Sequence, residues 1–85
     1  MDYEKMNAME IASKLLGFYV EIEGTVITTD EDFYHVNDGT MSYRIKANQP
    51  KTNKIAKKIR VKGKAVWTDR DGITIFPKEN IKDVF

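Results

Sequence analysis

The sequence predicts a mainly β domain, a five-stranded Greek-key barrel preceded by one amphipathic α-helix. Three observations predict it. Apolar residues recur at helical spacing only near the N-terminus, and from about residue 18 onward a period of two takes over. The two longest strand-like runs each carry a glycine at their middle, Gly24 and Gly63. The runs also fall as three closely joined, then a polar connection, then two more, which is the order a Greek-key barrel requires.

The helix is expected over about residues 3–16. Ala8, Ile11, Ala12 and Leu15 keep the i, i+3, i+4, i+7 spacing, Asp2 is a possible N-terminal cap, and Gly17 suits a left-handed exit. The barrel is expected over about residues 18–84. In its first strand Val20, Ile22, Gly24 and Val26 alternate with Glu21, Glu23, Thr25 and Ile27. A glycine inside such a run costs packing, so it marks a bend by which one long strand joins both halves of a small barrel.

Thr29-Asp30-Glu31-Asp32 is an acidic turn into the second strand, Phe33 to Asn37. Asp38-Gly39 supplies a dipeptide that tolerates positive φ, and Thr40 to Ala47 returns as the third strand. The polar stretch from Asn48 to Asn53, broken by Pro50, is a connection, with one helical turn expected over Lys54 to Lys58. The fourth strand runs from about Ile59 to Thr68, and Asp69-Arg70-Asp71-Gly72 turns into the fifth, Ile73 to Phe76, which Pro77 ends. No internal repeat or low-complexity segment interrupts this order.

The 85 residues amount to one domain, 1–85, and with no cysteine its stability must come from apolar packing. The first residues lack the basic start and apolar run of a signal peptide, and no stretch approaches the roughly 18 apolar residues that cross a bilayer. A soluble, cytoplasmic protein without membrane attachment is therefore the expectation. Net charge is +1, yet residues 1–38 hold nine acidic and two basic side chains, whereas residues 39–68 hold nine basic and no acidic ones. Gathered on one face, that block would set up a positive field for a polyanion.

With these elements in place, the chain resembles an OB-fold domain of the replication protein A and aminoacyl-tRNA synthetase anticodon-binding kind. The resemblance rests on Val20 to Val26, Tyr34 to Met41, Tyr43-Arg44-Ile45, Ile59 to Ala65 and Asp71 to Ile75. It implies a binding groove across the second and third strands, rimmed by the loop after the first strand and the hairpin before the fifth. The sequence departs from the family in two places. Met41 stands where a second glycine usually follows the Asp-Gly-Thr turn, and the connection after the third strand is too short for a packed helix. The N-terminal helix is accordingly expected to close the barrel's bottom.

Alternation assigns the faces. If Tyr34, Val36, Tyr43 and Ile45 fill the barrel, then Phe33, His35 and Asn37 point outward beside Ser42, Arg44 and Lys46. That face mixes rings and cations, as single-strand binding needs: aromatic faces stack on bases and cations follow the phosphates. Arg60, Lys62 and Lys64 lie on the outer side of the fourth strand, and Trp67 has the inward parity unless Gly63 introduces a bulge. The candidate nucleic-acid-binding residues are thus Phe33, His35, Arg44, Lys46, Arg60, Lys62, Lys64 and Trp67. The expected partner is single-stranded DNA or RNA, bound at about micromolar strength with a log–log salt slope of roughly −2 to −3.5.

The alternative is a protein-interaction domain that docks a partner, or a second copy of itself, through the helix, whose stripe is widened by Met6, Met9 and Leu16. No catalytic residues suggest themselves. One histidine, His35, forms neither a triad nor a zinc site, and Asp30-Glu31-Asp32 and Asp69 with Asp71 read as solvated turns. No cofactor, small-molecule substrate or enzymatic activity is expected.

Overall fold

A computed structural model describes residues 2–14 and 18–84. Among the described residues seven strands form one sheet: β1 (Glu4–Lys5), β2 (Phe18–Thr29), β3 (Phe33–Asn37), β4 (Ser42–Lys46), β5 (Lys58–Thr68), β6 (Gly72–Pro77) and β7 (Lys82–Asp83). Helix α1 (Ala8–Lys14) stands between β1 and β2, and a 3-10 turn, Thr52–Lys54, between β4 and β5. The sheet order is β1-β2-β3-β4-β6-β5-β7, and a further pairing of β2 with β5 closes the middle five strands into a barrel. All pairings among those five are antiparallel except β4 with β6, which is parallel.

The two glycine-bearing strands are the ones that curl. β2 pairs with β5 from Phe18 to Thr25 and with β3 from Thr25 onward, so its change of partner falls beside Gly24. A side chain there would meet Val36 Cγ1 at 2.6 Å and the Tyr43 hydroxyl at 2.8 Å. β5 changes partner the same way: it pairs with β2 up to Ala65 and with β6 from Gly63. Inside lie Val20, Ile22, Val26, Val36, Ile45, Ile59, Val61, Ile73 and Ile75, with Tyr34 and Tyr43, all buried. Trp67 keeps its inward parity, half-buried against this core.

Helix α1 closes one end of the barrel with Ala8 and Ile11, but it is shorter at its start than the spacing predicts. Glu4 and Lys5 instead run parallel to Val20 and Glu21, and the Met6 amide donates to the Glu21 carbonyl. The cap is Asn7, not Asp2. Its side-chain oxygen accepts from the Glu10 amide at 2.8 Å while the Glu10 carboxylate accepts from the Asn7 amide at 3.1 Å, a reciprocal capping box. The expected end at Leu15, Leu16 and Gly17 lies outside the described residues.

The next two amides of the helix are capped from far along the chain. Asp38 Oδ2 accepts from the Ala8 amide at 2.6 Å and Thr40 Oγ1 from the Met9 amide at 3.2 Å. Asp38 Oδ1 meanwhile accepts from the amide and hydroxyl of Thr40 and from the Met41 amide. Thr40 and Met41 are therefore held in the turn, and β4 begins at Ser42 rather than Thr40. Burial alone would push the Asp38 carboxyl up, but the donors from Thr40, Ala8 and Met41 outweigh it and hold it below the ordinary value.

The connection before β5 also differs from expectation. Its helical turn is Thr52–Lys54, not Lys54 to Lys58, because Ala56 takes a positive φ of 71° that breaks helical continuation. The Ala56 amide then donates to Val26, and the Val26 amide to Lys57, which pins the connection to β2.

Among the described residues, one buried side-chain polar atom is left without a partner, the Tyr43 hydroxyl, and burial pushes its phenol up. An unsatisfied buried hydroxyl costs about 1–3 kcal/mol. Tyr43→Phe is therefore expected to raise the unfolding free energy by about 1 kcal/mol, read as a higher urea midpoint at unchanged slope; a loss of stability would show that the hydroxyl is satisfied in solution.

Candidate nucleic-acid interface

The outer side of β3 and β4 gathers four of the residues singled out from the sequence. Register sets Phe33 opposite Lys46 and His35 opposite Arg44. The Arg44 guanidinium carbon sits 4.0 Å from the Phe33 ring centre and Lys46 Nζ 5.3 Å from it, while the Phe33 and His35 rings are 6.4 Å apart. Arg44 is further fixed by an Nε–H bond to the Thr74 hydroxyl at 2.7 Å. A guanidinium held against a ring is pre-positioned to fork onto a phosphate or to stack.

Arg44, Lys46 and His35 each have an acid within reach. Arg44 pairs with Asp71 at 3.3 Å, Lys46 with Asp32 at 3.3 Å, and His35 Nε2 lies 2.6 Å from Asp30. These carboxylates come from the two hairpin loops that flank the face. The His35 contact, then the Asp32 and Phe33 amides that close the β2–β3 turn, hold the Asp30 carboxyl below its ordinary value. The Arg44–Asp71 and Lys46–Asp32 pairs are exposed enough that a phosphate can take the carboxylate's place. A cleft of about 480 Å³ runs here between His35, Arg44, Ile27 and the Arg70-Asp71 loop.

The cations of β5 divide between two environments. Arg60 and Lys62 face β2, where the register sets Lys62 opposite Glu21 and Arg60 opposite Glu23. Arg60 Nη2 lies 2.7 Å from Glu23, Lys62 Nζ 3.8 Å from Glu21 and Lys58 Nζ 3.8 Å from Glu23. The Arg60 hydrogen bond is the main reason the Glu23 carboxyl is held low. Lys64, in contrast, is exposed and stands opposite Phe76 on β6. The basic block of the sequence is thus split: part lies against the acidic strand β2 and part stays open toward β6 and β4.

Sequence reasoning passed over Phe76. Ile73 and Ile75 point inward, so alternation turns Thr74 and Phe76 outward, and Phe76 is 41% exposed. One step beyond the Ile45–Ile75 register, Phe76 comes beside Lys46, and the two line a cleft of about 490 Å³ with Ala47, Asn48 and Pro77. A larger cleft of about 960 Å³ lies elsewhere, between the β1–α1 junction and the bend at Gly24. Its carboxylates Glu10, Glu21, Glu23 and Asp38 are already engaged by the Asn7 amide, Lys62, Arg60 and the Ala8 amide in turn, so we place no ligand there. Among the described residues, no group of three His, Cys, Asp or Glu side chains is arranged to hold a metal ion.

No family model matches the chain, and no curated protein matches it in sequence. Solved structures do match in three dimensions. A chain of the S. pombe Stn1–Ten1 complex superposes with a TM-score of 0.76 at 12% identity, covering 99% of this chain and 78% of that one. The telomere capping protein Ten1 from S. pombe gives 0.74 at 13% identity over 96% of this chain and 81% of its own. The hypothetical protein ygiW from E. coli gives 0.64 at 17% identity, covering 99% of this chain and 91% of that one. At such identities the likeness speaks for architecture alone. Together with the closed five-stranded barrel and its parallel β4–β6 pair, it establishes that the chain has the OB fold.

Proposed function

We propose that the chain is a single-stranded nucleic-acid-binding module that acts through the outer face of β3 and β4. The observation that carries the reading is the Phe33–Arg44–Lys46 cluster, a ring with two cations within 5.3 Å of its centre on a face flanked by two hairpin loops. Stacking on a ring is worth about 1–3 kcal/mol per base, and two phosphate contacts from Arg44 and Lys46 give a salt slope of about −1.4. Such a site binds at about micromolar strength, so physiological use calls for a second module or a second copy. Arg60 and Lys62, opposed by glutamates, contribute little in this reading, and the acidic loops weaken binding.

Titration of oligothymidine at two salt concentrations tests the proposal. Phe33→Ala is expected to weaken binding about tenfold, and Asp32→Asn with Asp71→Asn to strengthen it several-fold, because each removes a carboxylate that competes with phosphate. Salt-insensitive binding that ignores both changes would refute it.

A second reading has its own observation. Met9 is 57% and Met41 37% exposed, and the Met9–Thr40 hydrogen bond brings the helix against the turn that carries Met41. That apolar surface suits a protein partner; Met6, in contrast, is buried in the core. A stable dimer in sedimentation that Met9→Glu dissolves would favour it.

A further inference from the structure

The ring and cation pairing does not stop at β4. Register carries it across the barrel: Phe33 on β3 faces Lys46 on β4, Lys46 comes beside Phe76 on β6, Phe76 faces Lys64 on β5, and Lys64 faces Tyr19 on β2. Tyr19 meets the Tyr3 ring edge-on at 6.2 Å, and Lys62 Nζ stands 6.0 Å from that ring. Every second strand thus offers a ring, and each strand between offers a cation.

From this row we infer a second binding segment, Phe76–Lys64–Tyr19, that extends a bound single strand beyond the β3–β4 face and around the barrel. The inference rests on the function proposed above. Four strand-to-strand steps of about 4.8 Å separate Phe33 from Tyr19, about 19 Å in all. At a stacked rise of about 3.4 Å that is about six nucleotides, within the range a single OB fold can occupy. The row has a natural end: partial desolvation and the nearby Glu79 carboxylate both raise the Tyr3 phenol, and a carboxylate there repels the next phosphate. Lys64 is not paired with a carboxylate among the described residues, unlike the cations over Phe33, so this segment needs no ion pair to break.

Oligothymidines of four and twelve nucleotides separate the two segments. Phe76→Ala and Lys64→Gln, both at exposed positions, are expected to weaken the twelve-mer about tenfold and the four-mer less than twofold, whereas Phe33→Ala weakens both. Unchanged melting temperatures would show that each variant is folded; Lys64→Gln, which alters no packing, decides the matter if Phe76→Ala is unstable. If Phe33→Ala weakens both lengths but the twelve-mer ignores Lys64 and Phe76, the second segment is overturned and the β3–β4 site stands. If neither length binds the unaltered protein, the nucleic-acid reading itself falls, and this segment with it.

Discussion

Gly63→Ala is expected to bring the domain close to unfolding. A Cβ at this position would lie 2.3 Å from the Phe76 carbonyl oxygen and 2.8 Å from both the Phe76 carbonyl carbon and Pro77 Cα. All three are backbone atoms, so no side chain can rotate away and relief requires β5 and β6 to separate. They would separate where β5 carries both its partners, since Gly63 is opposite Val20 on β2 and Pro77 on β6. Overpacking of a core commonly costs 1–3 kcal/mol, and a clash with fixed backbone belongs at or above the upper end, about 4 kcal/mol. Against a total of about 5–10 kcal/mol for a chain of this size, the melting temperature should fall by about 20 °C. Gly39→Ala is the matched control: Gly39 has a φ of 93° but nothing within 4 Å of its would-be Cβ, so it should cost only about 1 kcal/mol of backbone strain. Equal losses in the two variants would mean that the approach of β6 to Gly63 is not what the position requires.

Asp38→Ala carries the second large effect, because one carboxylate joins the helix to the barrel. The substitution removes the acceptor of the Ala8 amide and the three donors of the β3–β4 turn at once. Loss of a helix cap costs about 0.5–2 kcal/mol, and hydrogen bonds to a charged group add to it, so about 2–3 kcal/mol is expected. The sign with pH follows from the depressed carboxyl. Its contribution is fully present above the ordinary aspartate value of 3.8 and is lost as pH falls through the lower folded value. The stability gap between the native protein and Asp38→Ala should therefore be widest near neutrality and narrow below pH 3.8. A gap that stays constant or widens in acid, measured by denaturant unfolding, would show that the carboxylate does not hold the helix.

The particular residues show why some of this architecture was legible in the sequence and some was not. Gly24 and Gly63 announced the curl of the two long strands because a missing side chain in a period-two run has few other uses. The inward set Tyr34, Val36, Tyr43 and Ile45 followed from alternation alone, and all four are buried. The helix start was misjudged because Asp2 and Asn7 are both good caps locally; the Glu10 side chain that completes the box, and the pairing of Glu4–Lys5 with β2, decide for Asn7. Asp38 capping a helix 30 residues away has no local signature.

The charge pattern was half legible. A run of nine basic residues without an acid suggested a single field, but only the β2–β5 register reveals that Arg60 and Lys62 stand opposite Glu23 and Glu21. Phe76 was available to the same alternation that placed Phe33 outward. Its position one residue before Pro77 made it look like the end of a strand rather than part of a surface.

The claim that the ring and cation face of β3 and β4 is where a single strand lies is tested most directly by amide chemical shifts of the ¹⁵N-labelled protein titrated with oligothymidine. The expected result is a set of salt-sensitive shifts at Phe33, His35, Arg44 and Lys46, with α1 and the Asp38–Met41 turn unmoved. Shifts confined to Met9, Met41 and their neighbours, or none at all at low salt, would contradict it.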